Sequence, residues 1–417
     1  MKICLLSPRF ISGDMRGGEE VIRTLSSKLS LRHKVMVIAS DSIDISSQFS
    51  FTGKRMGPST EELGENLTVV RLKSNPILSY PLHKANDLIT RAEKRIPNIY
   101  SYRFPDLVRI YGWGPNLQKL GMYIKNGEYD VVHASIFPTT TAYTALKHSM
   151  RQSIPFVFTP YFHFKINSFN TSYMMRYLIQ QSDAVVACTP PEKEALIKLG
   201  ADEKKIHVIP LSFDPEPVDK MISSMDAAKE RFLLGEKFVV LSHPWISKGI
   251  IPLLKALSEL SDKHDIALLT IGHPDDGYVT EKNNLLDKHP RMTVVDLGWV
   301  SPGEPKWNAF SSCDVFALPS YNDAFGISYL NAWAAKKPII AARDSAGGYL
   351  VDDHKDGYLV DPDDISEIKE LLLSLIENRA DLKHAGELGK KKLMEQFSPD
   401  LMVQRYEKVF KSVVEKR

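Results

Sequence analysis

LPSYNDAFGISYLNAWAAKKPIIAA, residues 318–342, runs from the end of a buried strand through a helix into the next strand. Upstream it continues the apolar run DVFALPS (314–320), and downstream it ends in PIIAA (338–342), with an amphipathic stretch between the two. Strand, helix and strand in so short a span make a βαβ unit, whose strands lie parallel in a sheet covered on both faces. Working outward, KFVVLSHP (237–244), ALLTIGH (267–273) and TVVDLGWV (293–300) extend the alternation toward the amino terminus. A first series precedes them: KICLLSP (2–8), KVMVIAS (34–40), TVVRL (68–72), DVVHASI (130–136), FVFTPY (156–161), AVVACTP (184–190) and HVIP (207–210). LSFDPEP (211–217) reads as the linker between the series. The expected fold class is therefore α/β: two Rossmann-like, doubly wound domains facing a cleft at the carboxyl ends of their strands, where open α/β sheets bind ligands. The tail from Asp363 onward is helical in pattern and breaks near Pro399.

With 417 residues, 43% hydrophobic and 25% charged, the chain has enough apolar surface for two or three cores and no long tract that must stay disordered. Cys4, Cys188 and Cys313 lie far apart, without zinc spacing or a disulfide framework, which points to a reducing compartment. No apolar run reaches the length of a bilayer crossing, and the first residues meet Pro8-Arg9 too soon for a signal core. The expected location is cytoplasmic, including the cytoplasmic membrane face. Residues 1–215 carry 27 Lys+Arg against 19 Asp+Glu, so the first half is basic and the second acidic. No Lys/Arg-rich run marks a nucleic-acid surface; a moderately basic face suits an anionic ligand or membrane. The interval 75–125 breaks the alternation with five prolines and mixes Arg91, Lys94, Arg95 and Arg103 with Tyr100, Tyr102, Phe104 and Trp113. It reads as an inserted set of helices and loops with the composition of an interfacial segment.

SPRFISGDMRGGEEVIRTL (7–25) passes Gly13 and the pair Gly17-Gly18 before a helix with two acids in its first turn. Glycines there let backbone amides approach a phosphate, although the spacing is neither G-x-G-x-x-G nor a P-loop.

The stretch 318–342, continued by Gly347-Gly348 and DGYLVDPDD (356–364), resembles the donor site of the GT-B glycosyltransferases of family 4, with its PS-x-x-E-G-F-G-x-x-x-x-E-A pattern. The Gly17-Gly18 loop, DVVHAS, TPPEKEALIKLGADEKKIHVIP, Lys248-Gly249 and LGWV fall in the same family order, and only 43–125 lies outside the resemblance. The resemblance implies an acceptor-side domain over 1–213, a nucleotide-sugar domain over 214–397, and a last helix, 398–417, returning to the first domain. It implies retaining transfer of a hexosyl group from a nucleotide diphosphate sugar, UDP- or GDP-linked, to a hydroxyl of a glycan, a lipid-linked molecule or a small molecule. No cofactor is expected. Lys248 and the helix start at Ala324, Phe325, Gly326 and Ile327 supply positive charge and amides to the diphosphate, so no divalent metal is expected either. Asp361-Pro362-Asp363 reads as a turn and helix cap rather than a metal motif.

The departures from the family pattern are specific. Its two glutamates are Asp323 and Asn331, which keep acceptors for a sugar and a ribose hydroxyl. Its Gly-Arg before the lysine is Ser242-His243, so an always-charged donor becomes a titratable one. Ser135 stands two residues beyond His133, where many members carry a catalytic histidine, and Pro160-Tyr161-Phe162-His163 replaces Pro-His-x-His. Trp299 matches a position beside the base. The catalytic candidates are Asp323, Lys248 and His163; the acceptor-side candidates are His133, Ser135 and Tyr161; Gly17, Gly18, His243, Trp299 and Asn331 complete the donor contacts. The softened polar positions also define the alternative, a catalytically degenerate GT-B protein that binds a nucleotide sugar or a partner transferase.

Overall fold

The computed structural model describes residues 1–11, 17–163, 165–222 and 224–416. The chain divides into two compact units, Met1–Leu211 with Pro399–Arg417, and Ser212–Ser398.

The first unit is built on β1 (Lys2–Leu6), β2 (Lys34–Ser40), β3 (Ser59–Gly64), β4 (Leu67–Leu72), β5 (Val131–Ser135), β6 (Phe156–Thr159), β7 (Ala184–Ala187) and β8 (Ile206–Val208). Their order is β3-β4-β2-β1-β5-β6-β7-β8, parallel throughout except for β3. The inner strands are apolar on both faces because helices cover both, which is why they read as unbroken runs. Strand β3, STEELG, is exposed along its whole length and hides in the sequence, since its charged residues have no strand pattern. Its glutamates guard the sheet edge against pairing with another chain. The interval after β4 forms helices over Pro76–Glu93, Arg103–Trp113 and Leu120–Asn126. The first starts where Asn75 Oδ1 accepts from the Ile77 amide at 3.0 Å and Pro76 takes the first helical position.

The C-terminal helix, Pro399–Glu415, belongs to the first unit. Met402, Val403, Tyr406, Val409, Phe410 and Val413 recur at helical spacing and are buried there. Lys28 Nζ meets Asp400 at 2.7 Å, and Glu407 receives Arg32 at 2.8 Å and His33 at 3.0 Å.

The second unit carries β9 (Phe238–Ser242), β10 (Ile266–Thr270), β11 (Thr293–Asp296), β12 (Val315–Leu318), β13 (Ile339–Ala342) and β14 (Gly357–Val360), all parallel, in the order β11-β10-β9-β12-β13-β14. Counted within the unit, that is the doubly wound order whose direction reverses between its first and fourth strands. The crevice opens there, beyond the carboxyl ends of β9 and β12. In the first unit the reversal falls between β1 and β5.

The helix Ile327–Ala334, in the quoted stretch, stops at an uncommon cap. The Lys336 amide donates to Trp333 O at 2.9 Å and that of Lys337 to Ala332 O at 2.8 Å, the paired bonds of a Schellman motif. Lys336 takes the left-handed position with φ +55°, which glycine occupies without a Cβ penalty. Lys336→Gly should raise the stability of this unit by about 1 kcal/mol, read as an upward shift of its melting temperature by about 2–4 °C. An unchanged or lowered melting temperature would show that the lysine side chain compensates for its backbone.

Candidate functional site

Beyond β9 the chain turns sharply: Trp245 N donates to His243 O and Lys248 N to Trp245 O, each at 2.9 Å. Gly249 (φ +76°) then opens the helix Ile250–Ser261. A Cβ on Gly249 would lie 2.1 Å from Pro319 O, so only glycine lets this turn press against the loop leaving β12. Ser242 Oγ donates to Ala317 O at 2.7 Å, tying the two strand ends together. On the β12 side, Tyr329 OH donates to Leu318 O at 2.6 Å and fixes the first turn of the helix Ile327–Ala334 to its strand.

This frame brings Lys248 onto Asp323. The ammonium donates to Asp323 Oδ1 across the crevice, with the two side chains 18% and 9% exposed. Asp323 Oδ2, Asn322 Oδ1 and Asn331 Oδ1 are buried oxygens without a hydrogen-bond partner. An unmatched buried acceptor costs about 1–3 kcal/mol, a cost that a ligand rich in hydroxyl groups would remove. Phe325 is buried as the loop enters the helix, and Ala324, Gly326 and Ile327 complete the turn there.

His243 sits in this crevice but is not the titratable cation expected from its position. Its Nδ1 faces Ile271 O at 2.8 Å and its Nε2 faces Ser328 Oγ at 2.9 Å, while Trp245 stacks on the ring with centroids 4.8 Å apart. A carbonyl only accepts, so Nδ1 carries the proton and Ser328 donates to Nε2. Burial pushes the imidazole down to about 4; the Ile271 carbonyl opposes this and the Lys248 charge adds to it. At neutral pH the ring is neutral, and it reaches the helix start through Ser328, a residue with no distinguishing signal in the sequence.

At the reversal point of the first unit, Gly17 and Gly18 begin the helix Gly17–Leu29; Gly13 lies outside the described residues. A Cβ on Gly18 would stand 2.8 Å from the Tyr161 ring and 3.4 Å from Ile136 Cδ1, so Gly18, Ile136 and Tyr161 meet. Tyr161 is held at φ +50° with its buried hydroxyl unpartnered. Arg9 grips Glu19 through two bonds, of 2.8 and 2.6 Å, and donates to Ile43 O at 2.6 Å, bracing the foot of this helix.

His133 and Ser135 require correction as acceptor-side groups. The His133 ring lies wholly inside the core, its Nε2 2.8 Å from Thr159 Oγ1, with Tyr406 and Phe410 of the C-terminal helix packed against it. Burial pushes it down to about 3. Ser135 is buried too, its hydroxyl directed at Leu6 O at 3.4 Å. His133 closes the core because the last helix packs on it, a contact across the length of the chain, while Ser135 faces the neighbouring strand β1. His163 is half-buried on the loop after β6, edge-on to Phe169 with centroids 6.5 Å apart.

Trp299, 50% exposed beyond β11, lines a cavity of about 270 Å³ with Leu297, Val300, Pro305 and Arg231. A cavity of about 960 Å³ lies at the opposite, amino ends of the strands, beside Glu236, Asp314 and Pro338. Its buried lysines are committed: Lys229 to Asp314 at 3.0 Å and Lys237 O at 2.8 Å, Lys337 to the carbonyls of Ser311 and Cys313 at 2.9 and 2.6 Å. That cavity is part of the scaffold. Asp361-Pro362-Asp363 is a turn, with Asp363 N donating to Asp361 Oδ1 at 2.9 Å and Asp364 capping the next helix.

Residues 15–217 match the family model Glycosyltransferase Family 4, and residues 226–392 match Glycosyl transferases group 1. The D-inositol 3-phosphate glycosyltransferase of Stackebrandtia nassauensis is 30% identical over 200 residues, 44% of this chain and 44% of that protein. The chain thus spans about half the length of such curated relatives. An uncharacterized glycosyltransferase of Methanocaldococcus jannaschii is 25% identical over 361 residues, covering 84% of this chain and 93% of that one. Among solved structures, Anabaena HepE in complex with UDP and glucose aligns with a TM-score of 0.68 at 17% identity, covering 99% of this chain and 100% of that one. The likeness establishes the two-domain GT-B fold.

Proposed function

We propose that this chain, both halves of which carry glycosyltransferase domains, transfers a hexosyl group from a nucleotide diphosphate sugar to a hydroxyl acceptor with retention of anomeric configuration. The observation that carries this reading is the Lys248–Asp323 pair at the β9/β12 reversal, beside a helix start and three unmatched buried oxygens. A departing diphosphate gains negative charge as the anomeric C–O bond breaks. Lys248 and the amino end of the helix Ile327–Ala334 would stabilise that charge, a role that asks nothing of a divalent metal. Asp323 Oδ2 and Asn331 Oδ1 would accept from sugar and ribose hydroxyls. Retention follows if the acceptor hydroxyl attacks from the leaving-group side and its proton passes to the departing phosphate oxygen. UDP is the favoured nucleotide, on the strength of the HepE complex.

The test is calorimetry with UDP and GDP, followed by incubation with UDP-sugars in the presence of EDTA and NMR of the released or transferred sugar. UDP binding with turnover to an α-configured product from an α-linked donor supports the reading. Binding without hydrolysis or transfer would instead identify a nucleotide-sugar-binding protein.

A further inference from the structure

Beyond the donor chemistry, and independent of it, the first unit carries an exposed surface that mixes apolar and basic side chains. The helices Pro76–Glu93 and Arg103–Trp113 pack side by side as a hairpin, joined by residues 94–102. The joint is rigidly braced. Buried Tyr100 shares its hydroxyl with Thr90 Oγ1 and Asn86 Oδ1, each at 2.9 Å, and the Arg109 guanidinium lies 4.2 Å from its ring centroid. Arg109 is paired with buried Asp106, which also accepts from Ser172 Oγ at 2.6 Å and Met174 N at 2.7 Å.

A tip held this firmly could have turned its apolar side chains inward, yet Leu88, Ile96, Tyr102 and Phe104 are 65%, 52%, 65% and 76% exposed. Interleaved with them are Arg91, Lys94, Arg95 and Arg103, all exposed and none in an ion pair among the described residues. The acids near the tip are Asp87, exposed, and Glu93, half-buried beside Arg109. Exposed apolar side chains gathered in one place mark a docking surface. Uncompensated cations around single projecting Leu, Ile and Phe side chains, with a tyrosine beside them, are the chemistry of an anionic lipid surface: the cations meet headgroups and the apolar ends enter the acyl boundary. No helix among the described residues is long and apolar enough to cross a bilayer, so contact of this kind lies on the membrane rather than through it.

We propose that the tip of this hairpin, residues 88–104, docks the protein on anionic bilayers. The full chain should pellet with vesicles of phosphatidylcholine mixed with phosphatidylglycerol, far less with phosphatidylcholine alone, and binding should fall as salt is raised. Each cation near such a surface is worth about fivefold in partitioning, so the triple variant Arg91→Gln, Lys94→Gln, Arg95→Gln should lose about a hundredfold. Leu88→Ser with Ile96→Ser and Phe104→Ser should weaken binding while leaving its salt dependence in place. All six positions are exposed, so both variants should keep the parental melting temperature and the parental UDP affinity, whatever the latter is. Any of three results overturns the proposal: no pelleting with anionic vesicles, binding indifferent to charge neutralisation, or self-association without vesicles that the serine variant abolishes. The first would assign the tip to a protein partner, and the last to a second copy of this chain.

Discussion

Lys248→Ala is expected to lower the affinity for UDP by about 10- to 150-fold, the factor that corresponds to about 1.5–3 kcal/mol for a charge-assisted contact. The loss has two parts. The variant removes a cation from the diphosphate, and it also leaves the Asp323 carboxylate, whose Oδ2 is already unmatched, without the ammonium that faces it. An unpaired carboxylate in the crevice repels the ligand as well as lacking a partner. The double variant Lys248→Ala, Asp323→Asn should therefore bind UDP more tightly than Lys248→Ala alone, although more weakly than the parent. Calorimetry on the four proteins of this cycle gives the coupling directly. Parental affinity in Lys248→Ala would remove the lysine from the diphosphate site; a double variant no better than the single would show that Asp323 does not face the ligand.

The parallel α/β fold was legible in the sequence, and the reason is local. Parallel strands buried on both faces leave continuous runs such as VFAL and AVVA, and the turn residues after them are held by neighbours a few positions away. Gly249, Lys248 and Asp323 were reached through the resemblance to the family pattern, and each lies on a short loop anchored to those strands. What was not legible depends on long separations. The partners that make His243 neutral come from residues 28 and 85 positions away, and the hydroxyl of Tyr406 reaches Thr159, beside His133, across 247. No window of sequence contains both ends of such contacts, so a buried histidine and a catalytic one look alike. Glu192 falls between the two cases. Locally, Thr189 caps its helix by accepting from Glu192 N at 3.3 Å. Yet the Glu192 carboxylate also accepts from Phe162 N and Cys188 N, each at 2.6 Å, joining the ends of β6 and β7 in a way no local pattern announces.

The core position of His133 makes a second strong prediction, one about acid. In the unfolded chain the imidazole titrates near 6.5, whereas burial holds it down to about 3 in the fold, where Nδ1 has no acceptor for an added proton. A proton therefore binds the unfolded state in preference, and stability that is complete above pH 6.5 is lost as pH falls toward 3. The loss from this residue is about 2 kcal/mol by pH 5 and, with the folded ring itself half protonated there, about 4 kcal/mol by pH 3, at 1.36 kcal/mol per pH unit. Glu192, in the same unit, acts with the opposite sign. Burial raises its carboxyl to about 7 against the backbone amides that favour its ionised form, so its protonation stabilises the fold as pH falls from 7 to about 4.5. The parental curve is thus partly flattened, and the comparison between variants carries the test. His133→Phe keeps a ring among Tyr406 and Phe410 and leaves Thr159 Oγ1 its 3.1 Å contact with Tyr406. Whatever its stability at pH 7.5, it should lose about 2 kcal/mol less than the parent on going to pH 5 in urea unfolding of the first unit. Parallel losses in the two proteins would mean that His133 accepts its proton in the folded state, which requires an opening of the C-terminal helix that the structure does not contain. His243, lowered to about 4 in the other unit, should add its own acid sensitivity to that unit's transition and leave this difference untouched, because the two variants share it.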